Sequence, residues 1–84
     1  MSPKVVKVQA LEEYRLRLFF DNGEVRHFDV SPYLDKGIFK ELRNIHYFNQ
    51  VKPFFGGVHW PHEQDFGPDT LFLESNLDST WEAA

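Results

Sequence analysis

Tyr14-Arg15-Leu16-Arg17-Leu18-Phe19-Phe20-Asp21-Asn22-Gly23-Glu24-Val25-Arg26-His27-Phe28-Asp29-Val30 is the stretch on which the fold turns. Its first half alternates with a period of two, placing Tyr14, Leu16 and Leu18 on one face and Arg15 and Arg17 on the other, as a half-buried strand requires. Asp21-Asn22-Gly23 is a hairpin turn, and two registers compete for it. A two-residue loop at Asn22-Gly23 sets Leu16 opposite Asp29 and Leu18 opposite His27. A three-residue loop with Gly23 left-handed sets Leu16 opposite Phe28, Tyr14 opposite Val30 and Arg15 opposite Asp29. A one-residue slip moves a strand's whole apolar set to the wrong face, so the three-residue loop is the expected one.

Working outward, residues 4–11 alternate as a preceding strand with Val6, Val8 and Ala10 on one face, ended by Glu12-Glu13. Downstream, Ser31-Pro32 reads as a cap and first position of a single turn that Gly37 closes. Residues 38–43 form a helix with Ile38, Phe39 and Leu42 facing the core. Asn44 caps a further turn through Phe48. Residues 51–55 and 58–60 read as two strands separated by Gly56-Gly57, the first demoted to an edge by Pro53, which has no N–H for a ladder. Gly67-Pro68 opens a last helix, with Asp69 near its positive end and Leu71, Phe72 and Leu73 supplying apolar contacts. The expected fold class is α+β: a three-stranded antiparallel meander, a helical segment, a short β-hairpin extending or covering the sheet, and a short C-terminal helix.

With 84 residues the chain is one domain spanning 1–84. It is expected to be ordered over about 3–76, with the tail 77–84, polar apart from Leu77 and Trp81, frayed. A domain this small buries only about 60–65% of its unfolded surface, so large side chains must do the filling. Nine Phe, three Tyr and two Trp exceed what one small core easily hides, which points to an apolar face for a partner. Cysteine is absent, excluding disulfides and thiolate zinc sites. No apolar run approaches the ~18 residues of a membrane span and no signal-peptide pattern opens the chain, so a cytoplasmic location is expected.

The net charge of −4 is unevenly placed: residues 1–43 carry eight Lys/Arg against seven Asp/Glu, residues 44–84 one against six. A duplex binder should show a clustered basic footprint, and the second half repels phosphate, so direct nucleic-acid binding is not expected. The nucleic-acid alternative is a basic and aromatic platform of Arg15, Arg17, Arg26 and His27 with Phe19, but a solvated strand face with locally matched charge accounts for the same residues.

Taken together, Tyr14 to Gly23, Phe28-Asp29-Val30-Ser31-Pro32-Tyr33-Leu34, Gly37-Ile38-Phe39, Leu42, Val58-His59-Trp60-Pro61, Asp65 and Pro68-Asp69-Thr70-Leu71 resemble the bacterial domain-of-unknown-function family 2442. The resemblance covers residues 4–75. It implies a small α+β domain, alone or joined to a helix-turn-helix domain, often encoded beside a second small protein in an arrangement like a toxin–antitoxin pair. It implies no catalytic residues. Where the family commonly places an Asn-Gly-like turn after Trp-Pro, this chain has His62-Glu63. No helix-turn-helix follows before Ala84, so a DNA-binding role of fused relatives lacks its reader.

Residues 54–75 hold the remaining candidate chemistry. His59, His62 and Asp65 are ligand types that suit Zn or Fe, yet Pro61 breaks any helical spacing and exposed loop histidines explain them as well. Asp65 and Asp69 have the types of an acid/base pair, but capping and dipole compensation at a helix start account for them better. Gly56-Gly57 is too short for a phosphate loop and reads as a turn. No cofactor is implied. The function expected is a non-catalytic protein-interaction or regulatory module, working through a second small protein or self-association; the alternative is a small metal- or ligand-binding enzyme centred on His59, His62 and Asp65.

The expected contact element is strand 4–10, including Val6 and Val8. An outer strand of a meander has unpaired backbone groups, and only Lys4 and Lys7 blunt this one. Trp60, Pro61 and Phe66 form a second apolar candidate surface, with internal packing as the equal alternative for Trp60.

Overall fold

The structure is a computed structural model describing residues 2–78. Among the described residues, seven strands and two short α-helices form an α+β fold: β1 (Val5–Leu11), β2 (Arg15–Phe20), β3 (Val25–Asp29), α1 (Ile45–Phe48), β4 (Lys52–Phe54), β5 (Gly57–His59), β6 (Asp65–Phe66), α2 (Pro68–Glu74) and β7 (Asn76–Leu77). They make two antiparallel sheets, one in the order β1-β2-β3-β7 and one in the order β4-β5-β6.

The central hairpin takes the three-residue loop. Leu16 lies opposite Phe28 and Arg15 opposite Asp29, the Val30 amide donates to the Tyr14 carbonyl at 2.9 Å, and Gly23 has φ +88°. Only this register puts Leu16, Leu18, Phe20 and Phe28 on one buried face.

Strand β1 departs from simple alternation. Val5 pairs with Phe20 and Lys7 with Phe19, so Val6 is an extra residue in a β-bulge. The bulge reverses the parity of the strand: Val5, Val8 and Ala10 pack toward the core while Val6 stays exposed. The expected face of Val6, Val8 and Ala10 is corrected at Val6 for this reason.

Both sheets are larger than expected. Asn76 and Leu77 pair with His27 and Arg26, adding β7 to the meander, and the Asp78 amide donates to the Val25 carbonyl at 3.0 Å. The start of the expected frayed tail is therefore tied down; Trp81 and the rest of 79–84 lie outside the described residues. The second sheet gains β6, paired with β5, and its hairpin loop is Phe55-Gly56 rather than Gly56-Gly57. At Gly57 a β-carbon would overlap the Phe66 carbonyl oxygen, so the residue without one lets β5 and β6 close.

The segment between β3 and α1 is built from 3₁₀ turns. Ser31–Tyr33 is not capped by Ser31; Asp29 Oδ1 accepts from the Ser31 amide at 2.9 Å and its hydroxyl at 2.7 Å. Gly37–Arg43 is 3₁₀ rather than α. At three residues per turn, Phe39 and Leu42 fall in one line toward the core and Ile38 falls outside it, which explains why Ile38 is exposed. Asn44 caps α1 as expected, accepting from His46 and Tyr47 amides. Along α2, Leu71 is buried, Phe72 half-buried and Leu73 exposed.

The core lies between the sheets and these turns. Phe66 is at its centre, with ring centroids 5.0 Å from Phe28, 4.9 Å from Tyr33, 5.1 Å from Phe39 and 6.0 Å from Trp60. Burial of one such ring stabilises the fold by about 1.5–3 kcal/mol, which is how a short chain closes a core across two small sheets.

Candidate interaction surface

The register of β2 and β3 determines which backbone groups of β1 are free. The Phe20 amide and carbonyl bond within the β2–β3 loop and the Tyr14 carbonyl accepts from β3, so even-numbered residues of β2 bond toward β3 and odd-numbered ones toward β1. Lys7, Gln9 and Leu11, opposite Phe19, Arg17 and Arg15, are thus the inward-bonding residues of β1. Val8 and Ala10 direct their N–H and C=O groups away from β2, and β1 is an edge of its sheet. Among the described residues only the amide of Val5 finds a backbone partner on that side, the Gly56 carbonyl at 2.8 Å.

The other edges are closed to such use. Strands β6 and β7 have two residues each. In β4 the residues flanking the two-residue loop, Phe54 and Gly57, bond to each other, so Pro53 occupies the outward position, where it has no donor.

Beside the Val5 end of β1 stands the β4–β5 hairpin tip. Phe55 is 88% exposed with φ +47°, a left-handed conformation that a residue with a bulky side chain adopts only at a cost. Phe54 is also exposed and stacks flat on His59, 4.0 Å between centroids. Val6, Phe54 and Phe55 are three of the exposed large apolar residues, the others being Ile38, Ile45, Leu73 and Leu77.

The second candidate surface is corrected. Trp60 is 1% and Phe66 5% exposed, and the Trp60 indole N–H donates to the Phe48 carbonyl at 2.8 Å. Of that trio Pro61 alone reaches solvent. Bulk in a small core won over a role as an anchor.

His59, His62 and Asp65 are held in different relationships. His59 pairs across β5–β6 with Asp65 and stacks on Phe54. His62 stacks on Tyr47 and places Nδ1 2.6 Å from Glu41 Oε2. Among the described residues no three His, Asp or Glu side chains converge as metal ligands. Asp65 lies in a strand and no side chain caps α2, so the capping expected of the two is corrected, while Asp69 stands in the first turn of α2, near its positive end as expected.

A buried polar network that sequence reading missed joins the 3₁₀ segment to the loop after Trp60. Gln64, 1% exposed, accepts from Tyr47 Oη at 2.6 Å and donates from Nε2 to the Ile38 carbonyl at 2.9 Å and Glu41 Oε1 at 3.0 Å. Tyr47 Oη in turn accepts from the His62 amide at 2.7 Å. The bond from Gln64 Nε2 first, and that of the His62 ring Nδ1 second, hold the Glu41 carboxyl below its ordinary pKa. No buried side-chain donor or acceptor among the described residues lacks a partner, so the network ties the 3₁₀ segment firmly to this loop.

Arg15, Arg17 and His27 share the outer face of the large sheet with Phe19, whereas Arg26 lies on the inner face. Arg17 Nε pairs with Asp78 Oδ2 at 2.8 Å. Arg26 donates to Ser75 Oγ at 2.8 Å and Glu24 Oε1 at 2.7 Å and covers the Phe72 ring. The structure does not bring the three arginines into one footprint.

An α+β fold of two small sheets, with one long edge strand and no cluster of three His, Asp or Glu that could hold a metal ion among its described residues, is what fold and site define. The chain belongs to the family described as protein of unknown function (DUF2442), whose model matches residues 5–76. It is similar to a solved structure from Nitrosomonas europaea ATCC 19718, described as "Putative DNA Binding Protein NE0471", with 32% identity and a TM-score of 0.75. The likeness covers 86% of this chain and 48% of that one, so the chain spans about half the length of the protein it matches. A search of curated proteins finds no match.

Proposed function

We propose that this chain is a non-catalytic protein-interaction module that works by strand addition at the outer edge of β1, the regulatory, antitoxin-like member of a pair with a second small protein. The observation that carries this is the run of outward N–H and C=O groups at Val8 and Ala10 on the one long edge of the described residues. An added strand gains backbone bonds there without rearranging the fold. The exposed side chains of Val6 and Phe55 extend the contact beyond the backbone.

The test is co-expression with the products of adjacent genes, followed by gel filtration of the wild type and Val8→Pro. Proline at position 8 removes an outward donor and no bond to β2, so the variant folds and loses the complex. A complex that survives Val8→Pro contradicts the reading.

A second reading rests on the shared outer face of Lys7, Arg15, Arg17, His27 and Phe19, and on the description attached to the Nitrosomonas protein. It requires duplex or single-strand binding that weakens steeply with salt and with Arg15→Ala. Asp29 opposite Arg15 and Asp78 on Arg17 oppose it.

A further inference from the structure

We infer that the strand added at β1 is β1 of a second copy of this chain, paired antiparallel about a two-fold axis through Gln9; this rests on the strand-addition reading above and names its occupant. Backbone geometry restricts the pairing. Residues facing across an antiparallel ladder are either both bonding or both non-bonding, so outward-bonding Val8 and Ala10 must meet outward-bonding residues of the newcomer. Placing Val8 opposite Ala10 of the second copy uses both residues of both strands and forms four backbone bonds, with Gln9 opposite Gln9 at the axis. Pairing Val8 with Val8 engages the bulge at Val6 instead, and pairing Ala10 with Ala10 leaves Val8 against the Glu12–Tyr14 turn.

Charge selects the same arrangement. The strand is basic at its start, with Lys4 and Lys7, and acidic just past its end, with Glu12 and Glu13. Antiparallel pairing brings the basic end of each copy to the acidic end of the other, twice over. Parallel pairing stacks like charge on like. An isologous contact of this kind closes on itself and joins two four-stranded sheets into one of eight strands, removing both open edges.

The chain has no cysteine, so Gln9→Cys is a single-thiol variant. At the axis the two residues form a non-bonded pair about 4.5 Å apart between Cα atoms, within the roughly 4.4–6.8 Å that a disulfide spans. Under mild oxidation Gln9→Cys is expected to give a covalent dimer in high yield. Lys7→Cys is expected to stay monomeric under the same treatment, because its two copies are about 14 Å apart. Light scattering should show a concentration-dependent dimer that Lys7→Glu weakens roughly five- to tenfold at low ionic strength, an effect that salt removes. A wild type that is monomeric at all concentrations, or cross-linking at Lys7→Cys equal to that at Gln9→Cys, overturns the inference. If the wild type is monomeric yet still loses a different partner on Val8→Pro, self-pairing fails and strand addition stands. If Val8→Pro changes no assembly, both fail.

Discussion

The indole Nε1 of Trp60 donates to the carbonyl oxygen of Phe48 at 2.8 Å, tying the end of β5 to the last residue of α1. One side chain thus supplies core volume and gives the helix C-terminal carbonyl of Phe48 its shorter hydrogen bond, the longer coming from the Val51 amide at 3.4 Å. Trp60→Phe keeps most of the volume and removes the shorter of that carbonyl's two hydrogen bonds, at an expected cost of about 0.5–1.5 kcal/mol. Trp60→Ala should cost about 3–5 kcal/mol and, in a domain this small, abolish the cooperative transition. Urea unfolding followed by far-UV circular dichroism measures both; a Trp60→Ala protein of unchanged stability refutes the core placement.

At Gly57, the first residue of β5, a β-carbon would meet the Phe66 carbonyl oxygen of β6. Gly57→Ala should destabilise by about 1–3 kcal/mol through forced backbone displacement. The loss should be visible as reduced amide protection in β5 and β6 before global unfolding.

Phe55 is exposed and left-handed, and against that local cost its ring returns an edge-on contact with exposed Phe54, 4.5 Å between centroids. Asn tolerates that region better. Phe55→Asn is expected to stabilise the isolated protein by about 0.5–1 kcal/mol and to weaken its assembly, two changes of opposite sign read by thermal melting and by gel filtration.

Glu41 gives a pH dependence with a defined direction. Its folded pKa is lowered by hydrogen bonds from Gln64 and His62, so the contribution is fully present above its ordinary value near 4.5 and lost as pH falls through the folded value. Stability of the wild type should therefore drop more steeply below about pH 4.5 than that of Glu41→Gln, whose amide does not titrate. Parallel slopes in urea titrations across that window would contradict the assignment.

The central hairpin was legible because its two registers differ in which side chains face the core: pairing Leu16 with Phe28 is consistent along the whole strand, and pairing it with Asp29 is not. Asn44 and Gly67-Pro68 were legible as helix starts because local chemistry alone specifies them. The bulge at Val6 was not, since it is set by where Val5 must reach Gly56, some fifty residues away. Strands β6 and β7 are two residues each, too short for any periodicity, and exist only through their partners. Trp60 and Gln64 share one difficulty: a polar group can be buried when its partner waits elsewhere in the chain, and those partners, Phe48, Tyr47 and Ile38, are 12 to 26 positions away. The candidate edge was legible as a strand with few protecting residues, but the two outward positions within it required the bulge and the register.

Amide hydrogen exchange resolved by residue along β1 tests the open edge most directly. In dilute protein Lys7, Gln9 and Leu11, which bond to β2, should be protected while Val8 and Ala10 exchange at least about tenfold faster. In the assembled form, Val8 and Ala10 should become as protected as their neighbours. Protection of Val8 and Ala10 already in the dilute monomer, or no gain at either residue on assembly, would contradict the account.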